Sequence, residues 1–249
     1  KVPVYIPESK KEEIKKEELS FVFRQYYDFK EQYKDFVLFF RIGEFYETYF
    51  KDAIIISDVL GCNLTKRKFN LEGIAPMAGI PYRSLNSAVQ KLLKNNFKVV
   101  VVNQTDEKDE NGKFIRKIER IYTKGTVFEN QFLNAKENNY LASIFNLKNG
   151  LELCYTDIST GDVYTTKGTI NEIQNELARI NPSELLILND GSINPEIYSI
   201  YKYELLDEKF LTPTNLAESK AFSLVYNYSN HILDRFKIEF GEIKFYDVK

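Results

Sequence analysis

Phe45 and Glu47 stand two residues apart in the heptapeptide Arg41-Ile42-Gly43-Glu44-Phe45-Tyr46-Glu47. In a turn or extended backbone, residues i and i+2 point to the same side; on a helix they do not. A shared tip would set an apolar wedge beside a carboxylate. That pairing suits an unstacked nucleic-acid base, where a ring inserts and a polar group tests the base edge. By themselves the residues also fit a plainer arrangement. Phe45 is one of 19 phenylalanines, most of them expected in the core, and Glu47 would serve as a charge favoured at a helix N-terminus.

Other chemistry is thinly represented. The single histidine, His231, falls in a polar helix near the C-terminal end and reads as a surface residue. No Cys/His cluster has metal spacing. Gly112-Lys113 runs into Phe114, so no phosphate-binding loop is formed there. No Gly-x-Ser-x-Gly elbow occurs. Asp157 lies on a strand before Ser159-Thr160-Gly161, which is how two-metal nucleases of the ribonuclease H type begin. Such a site needs converging carboxylates, and Glu172, Glu176 and Glu184 have no telling arrangement. A strand-end Asp supporting a hairpin turn is the expectation. Lys66-Arg67-Lys68 reads as a compact basic turn, solvated or in contact with phosphate. Met77, the only methionine, reads as packing.

These residues must be positioned by regular elements. The spacing of Leu19, Phe23, Tyr26, Tyr27 and Lys30 predicts a helix over about 18–34. The apolar run 36–42 reads as a buried strand that Gly43 breaks. A second helix is expected over roughly 46–60, with Gly61 as its stop. Residues 63–65 form a short strand candidate. Residues 76–82 read as a loop, because Pro76, Gly79 and Pro81 interrupt them. A helix from about Leu85 closes at Asn95-Asn96, and strands follow over 97–102 and 116–122, with Asn111-Gly112 at a loop tip. Gly125 and residues 130–139 mark a linker. Beyond it, strands at 140–147, 151–158 and 162–166 precede a helix over 170–180, a strand at 185–188 and a short helix over 195–203. A hairpin followed by alternating helices and strands is an α/β signature.

Composition bounds the function. The chain has 249 residues, 43% hydrophobic and 28% charged, which predicts packed cores. No apolar run approaches the roughly 18 residues of a membrane span. It begins at Lys1 without an initiator Met or apolar signal region, and reads as a trimmed piece of a soluble protein. Cys62 and Cys154 are far apart and read as free thiols of a reducing compartment. The net charge of −2 excludes a generally basic nucleic-acid coat. Yet residues 1–125 carry 23 Lys and Arg against 18 Asp and Glu, a net of +5, and the remainder nets −7. Only the first half favours phosphates, and modestly.

The order of several segments adds a resemblance. Phe39-Phe40-Arg41-Ile42-Gly43-Glu44-Phe45-Tyr46-Glu47 resembles the start of the mismatch-binding domain of the MutS family. Leu64-Thr65-Lys66-Arg67 and Pro76-Met77-Ala78-Gly79-Ile80-Pro81-Tyr82 match that domain's next two motifs in order. The segment from Arg120 to Thr126 resembles the one that leaves it. Thr156-Asp157-Ile158-Ser159-Thr160-Gly161 and Asn181-Pro182-Ser183-Glu184-Leu185-Leu186 are similar to the connector domain that follows. The resemblance covers about 20–190 and is weak beyond; residues 205–249 read as an incomplete connector.

The resemblance implies a mixed α/β fold. A tail over 1–18 precedes a mixed-sheet mismatch-binding domain with flanking helices over 19–128. A linker over 129–139 leads to a ribonuclease H-like connector over 140–249, without nuclease activity. It implies that Phe45 wedges into the minor groove and stacks on a mispaired base, and that Glu47 hydrogen-bonds that base. Ile42, Glu44 and Met77 would line the groove near the lesion, with Lys66 and Arg67 in an adjoining motif. The implied partners are duplex DNA with a mismatch or small loop and, through the connector, a MutL-type protein; no membrane is involved. The family's ATP and Mg²⁺ site and its dimer interface belong to other domains. No cofactor and no enzymatic activity are therefore expected of these two, and the implied location is cytoplasmic and nucleoid-associated. Two further readings accompany this one: a stand-alone module of a mobile element or phage acting on a protein partner, and a metal-dependent nuclease centred on Asp157.

Overall fold

The computed structural model describes residues 19–68, 74–128, 138–234, 236 and 238–248. The expected tail and nearly all of the expected linker lie outside these residues. The chain divides into two compact units, 1–122 and 123–249.

The first unit is built on a six-stranded mixed sheet. Its strands are β1 (Phe36–Ile42), β2 (Phe45–Tyr49), β3 (Thr65–Lys68), β4 (Ile74–Pro81), β5 (Lys98–Lys108) and β6 (Phe114–Tyr122), in the order β3-β4-β2-β1-β5-β6. β1 runs parallel to β5 and antiparallel to β2. Val37–Phe40 and Val99–Val102 are all buried, as central strands covered on both faces require. Helix α1 (Phe21–Gln32) covers one face: Tyr26 packs edge-on against Phe40 and Tyr49, at centroid distances of 5.7 and 4.8 Å. Helix α2 (Phe50–Leu60) packs on β2 and β4, and α3 (Leu85–Lys94) on β5. Asp52, nearly buried, ties the layers together. It accepts hydrogen bonds from the Leu38 amide at 3.0 Å, Tyr26 Oη at 3.2 Å and Lys30 Nζ at 2.8 Å.

Three sequence expectations need correction here. The second helix starts at Phe50, not 46, because residues 45–49 form β2. Phe50 turns the chain between the two with φ +54, an outlying conformation for a bulky residue. Lys66-Arg67-Lys68 is not a turn but most of β3. Residues 76–81 are not a loop but most of β4. Proline is tolerated there because each ring sits where one neighbouring strand has ended. β2 pairs with β4 only from Met77 to Pro81, so Pro76 lies beyond it, and β3 pairs only from Ile74 to Met77, so Pro81 lies beyond it.

The second unit holds a six-stranded sheet ordered β11-β10-β7-β8-β9-β12. β7 (Tyr140–Leu147), β8 (Gly150–Asp157) and β9 (Val163–Gly168) form an antiparallel meander. β10 (Glu184–Leu188) adds parallel to β7, and β11 (Tyr203–Leu206) parallel to β10, while β12 (Ile243–Phe245) adds parallel to β9. Helix α4 (Ile170–Ile180) opens with a capping box between Thr169 and Glu172 and buries Ile173, Leu177 and Ile180 against Ala142, Ile144, Leu151 and Leu153. The intervening strand residues point to the other face. There Ser143 Oγ donates to Ala221 O and Glu152 accepts from the Ala221 amide, both at the start of α5 (Lys220–Ile232). The expected polar helix around His231 is thus a largely buried one: Phe222, Leu224, Val225 and Ile232 are all inside, with His231 itself exposed. The expected short helix over 195–203 is a single 3-10 turn, Pro195–Ile197.

Gly125 is not a solvated linker glycine. It is buried, and a β-carbon there would meet Glu184 Cβ at 2.8 Å and Leu141 Cδ1 at 2.9 Å. Glu184 accepts hydrogen bonds from Thr123 Oγ1, the Gly125 amide and Tyr228 Oη at 2.6, 2.9 and 2.7 Å, which fastens residues 123–126 to the second unit.

Candidate nucleic-acid interface

The hairpin between β1 and β2 has a two-residue loop, Gly43-Glu44, flanked by the pair Ile42 and Phe45. Gly43 sits at the first loop position with φ +57, where tight hairpins take glycine. The loop is tied down on both sides. Tyr82 donates its amide to Glu44 O at 2.9 Å, Arg41 Nε donates to Gly43 O, and the Arg41 guanidinium lies 4.5 Å over the Tyr82 ring.

β2 fixes which residues emerge. Its side chains alternate, so Tyr46 and Thr48 are buried while Phe45 is 51% exposed and Glu47 half-buried. The ladder with β4 carries the alternation across, pairing Phe45 with Pro81, Glu47 with Gly79 and Tyr49 with Met77. The ladder with β3 adds Thr65 beside Met77 and Arg67 beside Ala75. Ile42, Phe45, Glu47, Met77 and Arg67 therefore share one sheet face. At its far end this face continues under α1, through Phe40 and Tyr49. Lys66 falls on the opposite face of β3 and is exposed; Glu44 stands on the loop, its side chain 77% exposed and 3.6 Å from Arg41. The arrangement with Phe45 in the core and Glu47 at a helix start does not occur.

Glu47 is not a bare carboxylate. Its Oε2 accepts from Tyr49 Oη at 2.5 Å and is ion-paired with Arg67 Nη1, which also lies 3.1 Å from Tyr49 Oη. Burial, followed by the bond to Glu47, pushes the Tyr49 phenol far up, so Tyr49 is a committed donor. Sequence reading missed Tyr49. The signal was the alternation Phe45, Glu47, Tyr49 within one strand, obscured by placing a helix there.

Asp157 does what a strand-end residue does. Its Oδ1 accepts from Ser159 N at 2.9 Å and Ser159 Oγ at 2.6 Å, and its Oδ2 from Asn139 N at 3.3 Å. Among the described residues, no three His, Cys, Asp or Glu side chains are grouped to hold a metal ion. No helix among them is long and apolar enough to cross a membrane.

The family model described as MutS domain I matches residues 21–131, and that for MutS domain II matches residues 139–239. Curated relatives agree. The DNA mismatch repair protein MutS of Clostridioides difficile is 39% identical over 176 residues, 70% of this chain and 19% of that protein. That of Caldicellulosiruptor saccharolyticus is 34% identical over 249 residues, 92% of this chain and 28% of that protein. That of Alkaliphilus metalliredigens is 36% identical over 221 residues, 86% and 24% respectively. The chain thus spans between 19% and 28% of the length of these relatives.

Proposed function

This chain belongs to the MutS family, carrying its domains I and II, and from that premise we propose that it recognises mispaired or looped bases in duplex DNA during mismatch repair. Phe45 enters the minor groove and stacks on the mispaired base, and Glu47 accepts a hydrogen bond from it. Ile42 and Met77 flank the wedge on the same face, and Glu44 reaches the groove from the loop. Lys66, on the reverse side of β3, contacts backbone phosphate, while Arg67 acts beside Glu47.

The observation that carries this reading is a half-exposed aromatic at a tight hairpin apex, with a carboxylate two residues along the same face. A single exposed ring needs no partner by itself; this one stands on the sheet face that also carries Ile42, Glu47 and Met77, which makes a compact surface of it. A mispair is easier to unstack and kink than a matched pair, so a wedge costs less there and reads deformability more than base identity.

The second unit acts as a connector. Its antiparallel meander, extended by two parallel strands on the β7 side and one on the β9 side, supports a ribonuclease H-like reading, and Asp157 is occupied with its turn rather than with converging carboxylates. A MutL-type partner docks on this domain. No chemical step is assigned to the two domains. Gly112-Lys113 leads into Phe114 at the start of β6 rather than into a phosphate-cradling helix, and the reading leaves ATP and Mg²⁺ to the family's other domains. The protein works in the cytoplasm, at the nucleoid.

Titration of the 249-residue chain with matched, G·T-mispaired and single-loop duplexes, at low and moderate salt, tests the reading. Both defective duplexes should bind more tightly than the matched one. All three should weaken with salt in parallel, because phosphate contacts are common to them. Equal affinity for all three would overturn it.

A further inference from the structure

The side of the β1–β2 hairpin turned away from Phe45 carries a second cluster. Arg41 and Tyr46 stand opposite one another there, since the pair Ile42 and Phe45 takes the other face. The Arg41 guanidinium lies between two tyrosine rings, 4.5 Å from the centre of Tyr82 and 5.5 Å from that of Tyr46. Its Nε donates to Gly43 O, and its side chain keeps 22% of its surface open. Both rings are anchored. The Tyr46 hydroxyl donates to Asn103 Oδ1 on β5 at 2.8 Å. Tyr82 opens a 3-10 turn, Tyr82–Ser84, that runs straight into α3, whose Ala88, Val89, Leu92 and Leu93 are buried. The Tyr82 amide holds Glu44 O at 2.9 Å, one step beyond Pro81, the last β4 residue paired with β2. Packing does not hold this loop. A β-carbon on Gly43 would meet nothing within 4 Å among the described residues. A notch of about 260 Å³, lined also by Asn103 and Gln104, opens beside Arg41 and Gly43.

We propose that Arg41 and Tyr82 are positioning residues that clamp the hairpin from behind and fix the direction in which Phe45 is presented. The inference rests on the mismatch-recognition reading above. A ring entering between bases works against their stacking. If Gly43 and Glu44 were mobile, their backbone would have to be ordered as the ring entered. Each residue ordered at that step weakens binding by roughly tenfold. A matched duplex stays stacked and receives no ring, so this cost falls on the mispaired complex and appears as lost discrimination. The clamp removes the cost in advance. It needs arginine for its shape. A planar guanidinium stacks on the tyrosine rings while its Nε reaches the Gly43 carbonyl, and an ammonium on a flexible stem does not do both. The chain of support then runs from the buried face of α3, through Tyr82, to the apex.

Two measurements on the 249-residue chain test the clamp, one without DNA and one with it. Backbone ¹⁵N order parameters of residues 43–45 should fall in Arg41→Met from the rigid range near about 0.85 toward about 0.6, while those of α3 stay as in the wild type. In anisotropy titrations with G·T and matched duplexes, Arg41→Met and Arg41→Lys should each lower the preference for G·T about tenfold, or abolish it if the wild-type ratio is smaller. Tyr82→Ala should do the same, and Tyr82→Phe, which keeps ring and amide, should restore most of the loss. Added to Phe45→Ala, Arg41→Met should change the remaining preference by less than about twofold, because the two act as one unit. A phosphate contact by Arg41 would behave otherwise. It would survive in Arg41→Lys, weaken matched and mispaired duplex alike, and persist in the Phe45→Ala background. That pattern, unchanged order parameters, or undiminished preference in Arg41→Met overturns the inference. A wild type that still prefers G·T would then leave the Phe45 reading intact. A wild type without any preference would instead remove both.

Discussion

Replacing Phe45 with alanine separates recognition from folding. The ring is 51% exposed, so of a side chain that buries roughly 200 Å² when fully covered, about 100 Å² remains to be covered by a partner. At about 25 cal/mol per Å² that half is worth about 2.5 kcal/mol on stacking, inside the ~1–3 kcal/mol range for base–aromatic contacts. Discrimination between mispaired and matched duplex should therefore fall by about 60-fold, or to the floor if the wild-type ratio is smaller. The half already packed sets the folding cost. Alanine retains part of it, so the loss is about 1 kcal/mol against the ~3–5 kcal/mol of a fully buried phenylalanine, and the melting temperature drops by roughly 5 °C. Phe114→Ala provides the control. That ring is 40% exposed at the start of β6, the edge strand opposite β3, with the Lys108 ammonium 4.9 Å away. It should melt much like Phe45→Ala and discriminate like the wild type. Anisotropy titrations near 15 °C, where every variant is folded, decide the matter. Undiminished discrimination in Phe45→Ala, or an equal loss in Phe114→Ala, would refute the argument from exposure.

Two further predictions concern the frame. Asp52→Ala strands the Leu38 amide, the Tyr26 hydroxyl and the Lys30 ammonium beneath α1. It should cost about 3–5 kcal/mol, read from the urea midpoint, and a loss below about 1 kcal/mol would show that α1 is held by its rings alone. His231, the only histidine, is exposed as a residue, but partial burial of its ring beside Phe210, 5.7 Å away, and then Lys209 lower its pKa from 6.5, against a smaller opposing pull from Asp234. Below that ordinary value the unfolded chain takes up the proton more readily than the fold does. Stability from this residue therefore rises as pH climbs toward about 6.5 and is lost on acidification. Melting curves between about pH 5 and 7.5 should slope less steeply for His231→Gln than for the wild type; identical slopes would contradict the assignment.

The strand and helix inventory of both units was mostly readable, because apolar spacing dictates it. Phe36–Ile42 and Ile170–Ile180 lie where their residues predict. The failures cluster around the interface. Tyr49, Phe50, Ala53 and Ile54 have helical spacing, and nothing in the sequence marks the helix start at Phe50, since Tyr49 provides no side-chain cap. A helix extended backward by four residues would swallow β2 and with it the alternation that exposes Phe45. Pro76 and Pro81 spoke against a strand, and only the staggered ends of β2 and β3 make room for them. The burial of the second unit's α5 escaped for a different reason: the helix is covered by residues distant in sequence, such as Ser143 and Glu152.

Period two then explains why the wedge could be guessed and its support could not. Phe45 and Glu47 are neighbours along one strand, so their common side follows from local backbone geometry. Glu47 and Arg67 are 20 residues apart, and no local rule joins them. They meet because β4 lies between β2 and β3 and sets Glu47 opposite Gly79 and Arg67 opposite Ala75. Gly79 and Ala75 have little or no side chain, which leaves the long arms of Glu47 and Arg67 room to meet across β4. A one-residue slip of β3 would send Arg67 to the reverse face and bring Lys66 or Lys68 to Glu47 in its place. The charge would survive such a slip and the planar fork would not. The identity of the cation beside Glu47 is thus a property of sheet register, invisible in the run Lys66-Arg67-Lys68, where all three residues look alike.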